Sequence, residues 1–138
     1  MKLVEIIRGA KTSDRTYQVI LGLSAKFGKE TITVNDSPGF AIGRLFDVLV
    51  NEAAKLLYEG VCTAEDADKG CRLGLGHAMG PLRTIDMANA MGVVLHALEY
   101  LREELGDEYN PCPLIKKRFL AGEHGEWAGK GFHDYGQK

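Results

Sequence analysis

Asn35-Asp36-Ser37-Pro38-Gly39-Phe40-Ala41-Ile42-Gly43-Arg44 is the stretch at which the chain changes character. On its N-terminal side stand two β-branched runs, Leu3-Val4-Glu5-Ile6-Ile7 and Thr31-Ile32-Thr33-Val34, which read as strands. Between them Thr12-Ser13-Asp14 offers N-caps for a segment whose Tyr17, Ile20, Leu21, Leu23, Ser24 and Phe27 recur at helical spacing, with Gly28 as the stop. Residues 1–35 therefore read β-α-β. Two strands are not a stable sheet alone, so this unit must lean on a larger one.

On the C-terminal side the pattern is all helix. Leu45, Leu49, Ala53, Leu56 and Leu57 share a stripe that ends near Gly60. Thr63-Ala64-Glu65-Asp66 resembles a capping box, with early negative charge suited to the helix dipole. After the glycine-rich Gly74-Leu75-Gly76-His77-Ala78-Met79-Gly80, Pro81 suits a first helical position. Val94, Leu98, Leu101 and Leu105 predict a helix closed by Gly106, and Pro113 opens a last one through Ile115, Phe119 and Leu120 to Gly122. The tail from Gly125 to Gly136 has no periodicity; Trp127, Phe132 and Tyr135 are expected to anchor it by packing back onto the helices.

Bulk properties narrow the classes. The 138 residues suit one compact domain with a partial second, and 45% hydrophobic with 26% charged residues is ordinary for a globular protein. A net charge of −2 and a pI near 6.1 argue against nucleic acid or an anionic membrane as the main partner. No apolar run reaches the roughly 18 residues of a membrane span, and Glu5 stands where a secretory signal would be apolar. Cys62, Cys71 and Cys112 form no C-x-x-C pair and read as reduced thiols, which with the rest suggests a cytoplasmic protein.

Seven motifs in register carry a resemblance over essentially the whole chain: Met1-Lys2-Leu3-Val4-Glu5, Asp36-Ser37-Pro38-Gly39-Phe40, Asn51-Glu52-Ala53, Gly60-Val61, Leu73-Gly74, Met79-Gly80-Pro81 and Gly129-Lys130-Gly131-Phe132. In order and spacing the chain resembles the L-3-hydroxyacyl-CoA and 3-hydroxybutyryl-CoA dehydrogenase family. The resemblance implies a mainly α fold, a helical bundle of the 6-phosphogluconate-dehydrogenase C-terminal-like type over residues 36–138. It further implies that residues 1–35 are the last β-α-β of a Rossmann-like NAD-binding domain. The helical part would dimerise and help hold acyl-CoA in fatty-acid metabolism.

The chemistry so implied is a reversible hydride transfer between NAD and C3 of a 3-hydroxyacyl thioester. A histidine takes the hydroxyl proton and a glutamate orients and stabilises its imidazole. Glu5 matches that glutamate; the histidine would lie upstream of Met1, and His77, His96, His124 and His133 do not match its position. The family usually reads P-G-F-x-x-N-R, with the Asn contacting substrate, whereas Gly43 stands there in this chain. Losing such a polarising contact typically costs on the order of 3 kcal/mol at the transition state. By the same resemblance Met79 and Pro81 belong to the substrate-side wall, where the family often has proline in place of Ala78. Asn89 and Met91 replace a Gly and an Asp common in relatives, so the loop there is expected to be reshaped.

Other constellations are weaker. Gly74-Leu75-Gly76 with Gly80 follows a helix and not a strand, which fails the context of a dinucleotide loop. His77 reads as a turn residue, and Lys116-Lys117-Arg118 as a solvated helix face that could alternatively meet a CoA phosphate. Two functions from different classes are expected. One is the substrate and dimerisation part of an NAD-dependent dehydrogenase, inactive alone, with no cofactor bound by this chain and an NAD-binding domain available in trans. The other is a non-catalytic oligomerisation or acyl-CoA-binding module of the same descent.

Overall fold

A computed structural model describes residues Met1–Gly136. The chain forms two compact units, Met1–Arg44 and the residues from Leu45 onward.

In the first unit, strands β1 (Leu3–Arg8) and β2 (Glu30–Asn35) pair in parallel, Glu5 opposite Ile32 and Ile7 opposite Val34. The crossover is helix α1 (Asp14–Lys26). Its N-cap is Ser13, whose Oγ accepts from Thr16 N at 3.1 Å. The expected apolar stripe of α1 is only partly used: Ser24 is buried, but Leu23 is 44% and Phe27 69% exposed. A two-stranded sheet is too narrow to cover that face. Helix α2 (Ile42–Tyr58) begins in this unit and continues into the second.

The second unit is helical: α2 is followed by α3 (Ala64–Gly74), α4 (Pro81–Ala88), α5 (Met91–Leu105) and α6 (Pro113–Leu120). Thr63 caps α3 by accepting from Asp66 N, and Pro81 sits in the first turn of α4, where its missing N–H costs nothing. Val50, Ala54, Leu82, Ile85, Met91, Leu98 and Ile115 centre the core. The buried side of α2 is Asp47, Val50, Asn51, Ala53 and Ala54, rotated from the expected leucine stripe; Leu45 is 69% exposed. Buried Asn51 ties α2 to the segment after α5. Its Nδ2 donates to Asn110 O at 3.0 Å and its Oδ1 accepts from Cys112 N at 2.7 Å.

Asn89 ends α4 in the left-handed region, at φ 51°, a conformation Asn tolerates better than most residues. The tail departs from expectation at one anchor. Phe132 is buried and Tyr135 half-buried, but Trp127 is 84% exposed and is held by its backbone N–H, which donates to Asn89 Oδ1. The tail is fastened by polar groups, so it does not need the indole. Lys116 and Lys117 are solvated, while Arg118 turns inward, bonding Glu123 and Gly131 O and lying over the Phe132 ring.

Candidate functional site

Glu5 reaches from β1 to the start of α2. Its Oε1 accepts from Ala41 N at 2.7 Å and, more loosely, from Ile42 N at 3.4 Å. These amides belong to the helix's unpaired N-terminal donors, so the carboxylate serves as a remote N-cap in favourable register with the dipole. The approach depends on the turn before it, where Gly39 and Phe40 both take positive φ and Phe40 N donates to Ser37 O. Gly43 follows directly; a Cβ placed there would meet nothing within 4 Å. Glu5 and Gly43 therefore stand together at the first turn of α2.

Met79 and Pro81 lie in the second unit. Met79 is 37% exposed and lines a cavity of about 460 Å³ with Asp68, Lys69, Arg72, Arg83 and His133. Pro81 is fully buried beneath it and does not line it. His77 occupies the turn after α3, its N–H donating to Cys71 O, and does not line this cavity either.

Two buried acids organise this region, and neither was singled out from sequence. Asp68 on α3 accepts from Leu82 N at 2.9 Å and Arg83 N at 2.8 Å, capping α4 from outside. His133 Nε2 lies 2.8 Å from Asp68 Oδ2 and, facing a carboxylate, donates to it. Its Nδ1 lies 3.6 Å from Glu65 Oε1, so the ring stands between two carboxylates. Asp86, 0% exposed on α4, accepts from Phe132 N at 2.9 Å, His133 N at 2.8 Å and the Tyr135 hydroxyl at 3.0 Å. Burial, with Asp86 alongside, pushes the Tyr135 phenol up to about 12. Arg83 donates to Glu126 and Tyr135 and closes the network. Glycine is required where the tail passes: a Cβ on Gly131 would overlap the Asp86 carboxylate. The Gly129-Lys130-Gly131-Phe132 motif was the available signal for this clamp.

NAD binding can be tested on residues 1–37. A pyrophosphate sits on a helix N-terminus opened by a glycine-rich turn. Here the turn is Gly9-Ala10-Lys11, Ser13 occupies a first-turn amide of α1, and Asp14 puts a carboxylate at that end, paired to Arg8 at 2.5 Å. These residues do not fit a dinucleotide phosphate.

Comparison with known proteins agrees with this geometry. Residues 39–135 match the model for the 3-hydroxyacyl-CoA dehydrogenase C-terminal domain, and residues 1–37 match that for the NAD binding domain of the same enzymes. The probable 3-hydroxybutyryl-CoA dehydrogenase of Bacillus subtilis is 43% identical, covering 100% of this chain and 48% of that protein. The 3-hydroxybutyryl-CoA dehydrogenase of Bradyrhizobium diazoefficiens is 40% identical over 98% of this chain and 46% of its own length. Among solved structures, the (S)-3-hydroxybutyryl-CoA dehydrogenase of Ralstonia eutropha superposes with a TM-score of 0.92 at 39% identity, covering 99% of this chain and 48% of that one. The chain thus spans about half the length of the curated relatives it matches. With both family models matched in order along one chain, the protein belongs to the 3-hydroxyacyl-CoA dehydrogenase family.

Proposed function

We propose that the chain is the substrate- and subunit-contact part of a 3-hydroxybutyryl-CoA dehydrogenase, holding the acyl thioester while a nucleotide-binding portion on the same or another chain carries NAD. The observation that supports this most is the match to 3-hydroxybutyryl-CoA dehydrogenases along the whole chain. In this reading NAD supplies the hydride chemistry, and this chain's residues bind and orient. Glu5, fixed by two amides of α2, keeps its second oxygen for an imidazole brought to it, whose tautomer it would set. Met79 and the cavity beside it shape the wall on the second unit. The assembly unit is a two-fold dimer through the helical part, which would cover apolar side chains such as Leu73, at 74% exposure, and Leu120, at 73%.

A second reading, a non-catalytic acyl-CoA-binding or oligomerisation module, draws support from Gly43, which has no side chain to polarise a substrate. Calorimetry, a coupled turnover assay and light scattering on the 138-residue chain test both. The expected result is binding of 3-hydroxybutyryl-CoA and a dimeric mass, without NAD binding or turnover. Micromolar NAD binding or turnover above background refutes the division of labour. A monomer at tens of micromolar refutes the dimer, and no binding of the thioester refutes both readings as substrate modules.

A further inference from the structure

Two cavities of the helical unit are lined by cations, and they differ in how much of that charge is already spent. In the smaller, of about 230 Å³, Lys117, Arg118 and Lys130 surround Glu123, whose carboxylate bonds Arg118 at 2.7 Å and Lys130 at 2.8 Å. Two of its cations are matched from within. The cavity beside Met79, of about 460 Å³, is different. Lys69 and Arg72 line it from α3, where their spacing puts them on one helix face, and Arg83 lines it from α4. Lys69 and Arg72 are exposed and make no hydrogen bond or ion pair among the described residues.

Arg83 is held in place and only half used. Its Nη1 donates to Glu126 and to the Tyr135 hydroxyl, and its guanidinium lies over the Tyr135 ring. Nε and Nη2 are left without partners among the described residues. The acids of the lining are engaged elsewhere. Asp68 accepts from the amides of Leu82 and Arg83 and from His133, while Glu65 faces the His133 ring at 3.6 Å. Glu126 offsets the charge of Arg83, but nothing in the lining accepts from Lys69 or Arg72. In a chain of net charge −2, unspent positive charge is thus gathered around one cavity.

We propose that this cavity is a phosphate-binding site, in which Lys69, Arg72 and the unbonded edge of Arg83 donate to a phosphate dianion, free or carried on a small molecule. A tetrahedral anion with several acceptor oxygens can meet donors arriving from two helices at once, and arginine's planar fork suits it. The volume falls within the roughly 300–1,000 Å³ of small-molecule sites, so there is room for more than the ion. The assignment stands on the lining alone and asks nothing of the proposed function.

The test is titration of the 138-residue chain with inorganic phosphate at constant ionic strength, followed by two-dimensional amide NMR. Wild type should show saturable shifts at Lys69, Arg72, Met79 and Arg83, which an equal concentration of acetate does not reproduce. Lys69→Gln with Arg72→Gln removes two solvated charges that hold nothing in the fold. That variant should bind phosphate at least about tenfold more weakly, the scale of a lost charge-assisted hydrogen bond. Lys116→Gln with Lys117→Gln removes the same charge from α6 and should leave binding unchanged. Absence of saturable shifts, an equal response to acetate, binding that survives the α3 pair, or equal weakening by the α6 pair would each overturn the site. A parallel titration with (S)-3-hydroxybutyryl-CoA identifies the source. If the thioester displaces inorganic phosphate from these amides, the site holds a phosphate of that ligand; if it does not, the site serves a separate phosphate compound, and both results support it. A thioester that binds nowhere refutes the proposed function and leaves this site standing.

Discussion

Replacing Asp47 with Asn should stabilise the protein near neutral pH, and the gain should vanish in acid. Burial raises the Asp47 carboxyl from 3.8 to about 6. A raised carboxyl pKa means that the folded state binds the proton more tightly than the unfolded chain. The folded state is therefore favoured most below about 3.8, loses that advantage as the pH rises to about 6, and gains or loses nothing further above it. At 1.36 kcal/mol per pKa unit the whole change is about 3 kcal/mol, an upper figure because the site keeps some contact with water. Asn has the same shape and no titration, so the difference between the two proteins isolates this one group. Urea unfolding of wild type and Asp47→Asn should be followed by far-ultraviolet circular dichroism from pH 4 to pH 7.5. The expected result is a variant more stable by about 1–3 kcal/mol at the upper end, with the two curves converging toward the lower end. Curves that stay parallel across the range would show that Asp47 is solvated or paired, and would refute its burial as the cause of the raised carboxyl.

Two further perturbations read other parts of the structure. Asp86→Ala leaves the Phe132 and His133 amides and the Tyr135 hydroxyl without their acceptor, at about 1–3 kcal/mol for each group that stays buried. The tail should detach, and limited proteolysis should cleave between residues 123 and 136 well before the helical core; an unchanged digestion pattern would refute the clamp. Glu5→Ala removes the remote cap of α2 and should cost about 0.5–2 kcal/mol, with faster amide exchange at Ala41 and Ile42 while the exchange of Leu98 stays unchanged.

Local chemistry made most of the elements legible before any coordinates. Ser13 and Thr63 are hydroxyl caps, Pro81 and Pro113 open helices, and Gly28 and Gly106 close them; each acts within a few residues, where a sequence is easiest to read. The faces were harder. α2 buries Ala53, Ala54 and Asn51 and leaves Leu45 exposed, because the buried face includes Asn51, whose hydrogen bonds to Asn110 and Cys112 no apolar spacing reveals. A glycine-rich tail asks for aromatic anchors, yet Trp127 stands exposed because hydrogen bonds to Asp86 already hold that segment. Motifs in register point to Glu5 and Gly43; the structure places the Glu5 carboxylate on the amides of Ala41 and Ile42 and Gly43 in the first turn of α2. Asp68, Asp86 and His133 were not, since their partners lie up to 65 residues away along the chain. Asp47 escaped notice for a different reason. A charge in a helix reads as a solvated one until its surroundings are known.

The clamp on α4 also orders events in time. Asp86 leaves the ribosome 46 residues ahead of Phe132, the first residue it must hold, and Asp68 is 65 residues ahead of His133. During synthesis α4 emerges with a buried acid that as yet has nothing to bind, so the helical unit cannot reach its final packing until the glycine-rich tail has followed it out. Completion of this fold is thereby coupled to completion of the polypeptide as far as Tyr135. A chain released before Phe132 would leave the Asp86 carboxylate without any of its three donors, marking the product as unfinished to whatever proteases survey new proteins.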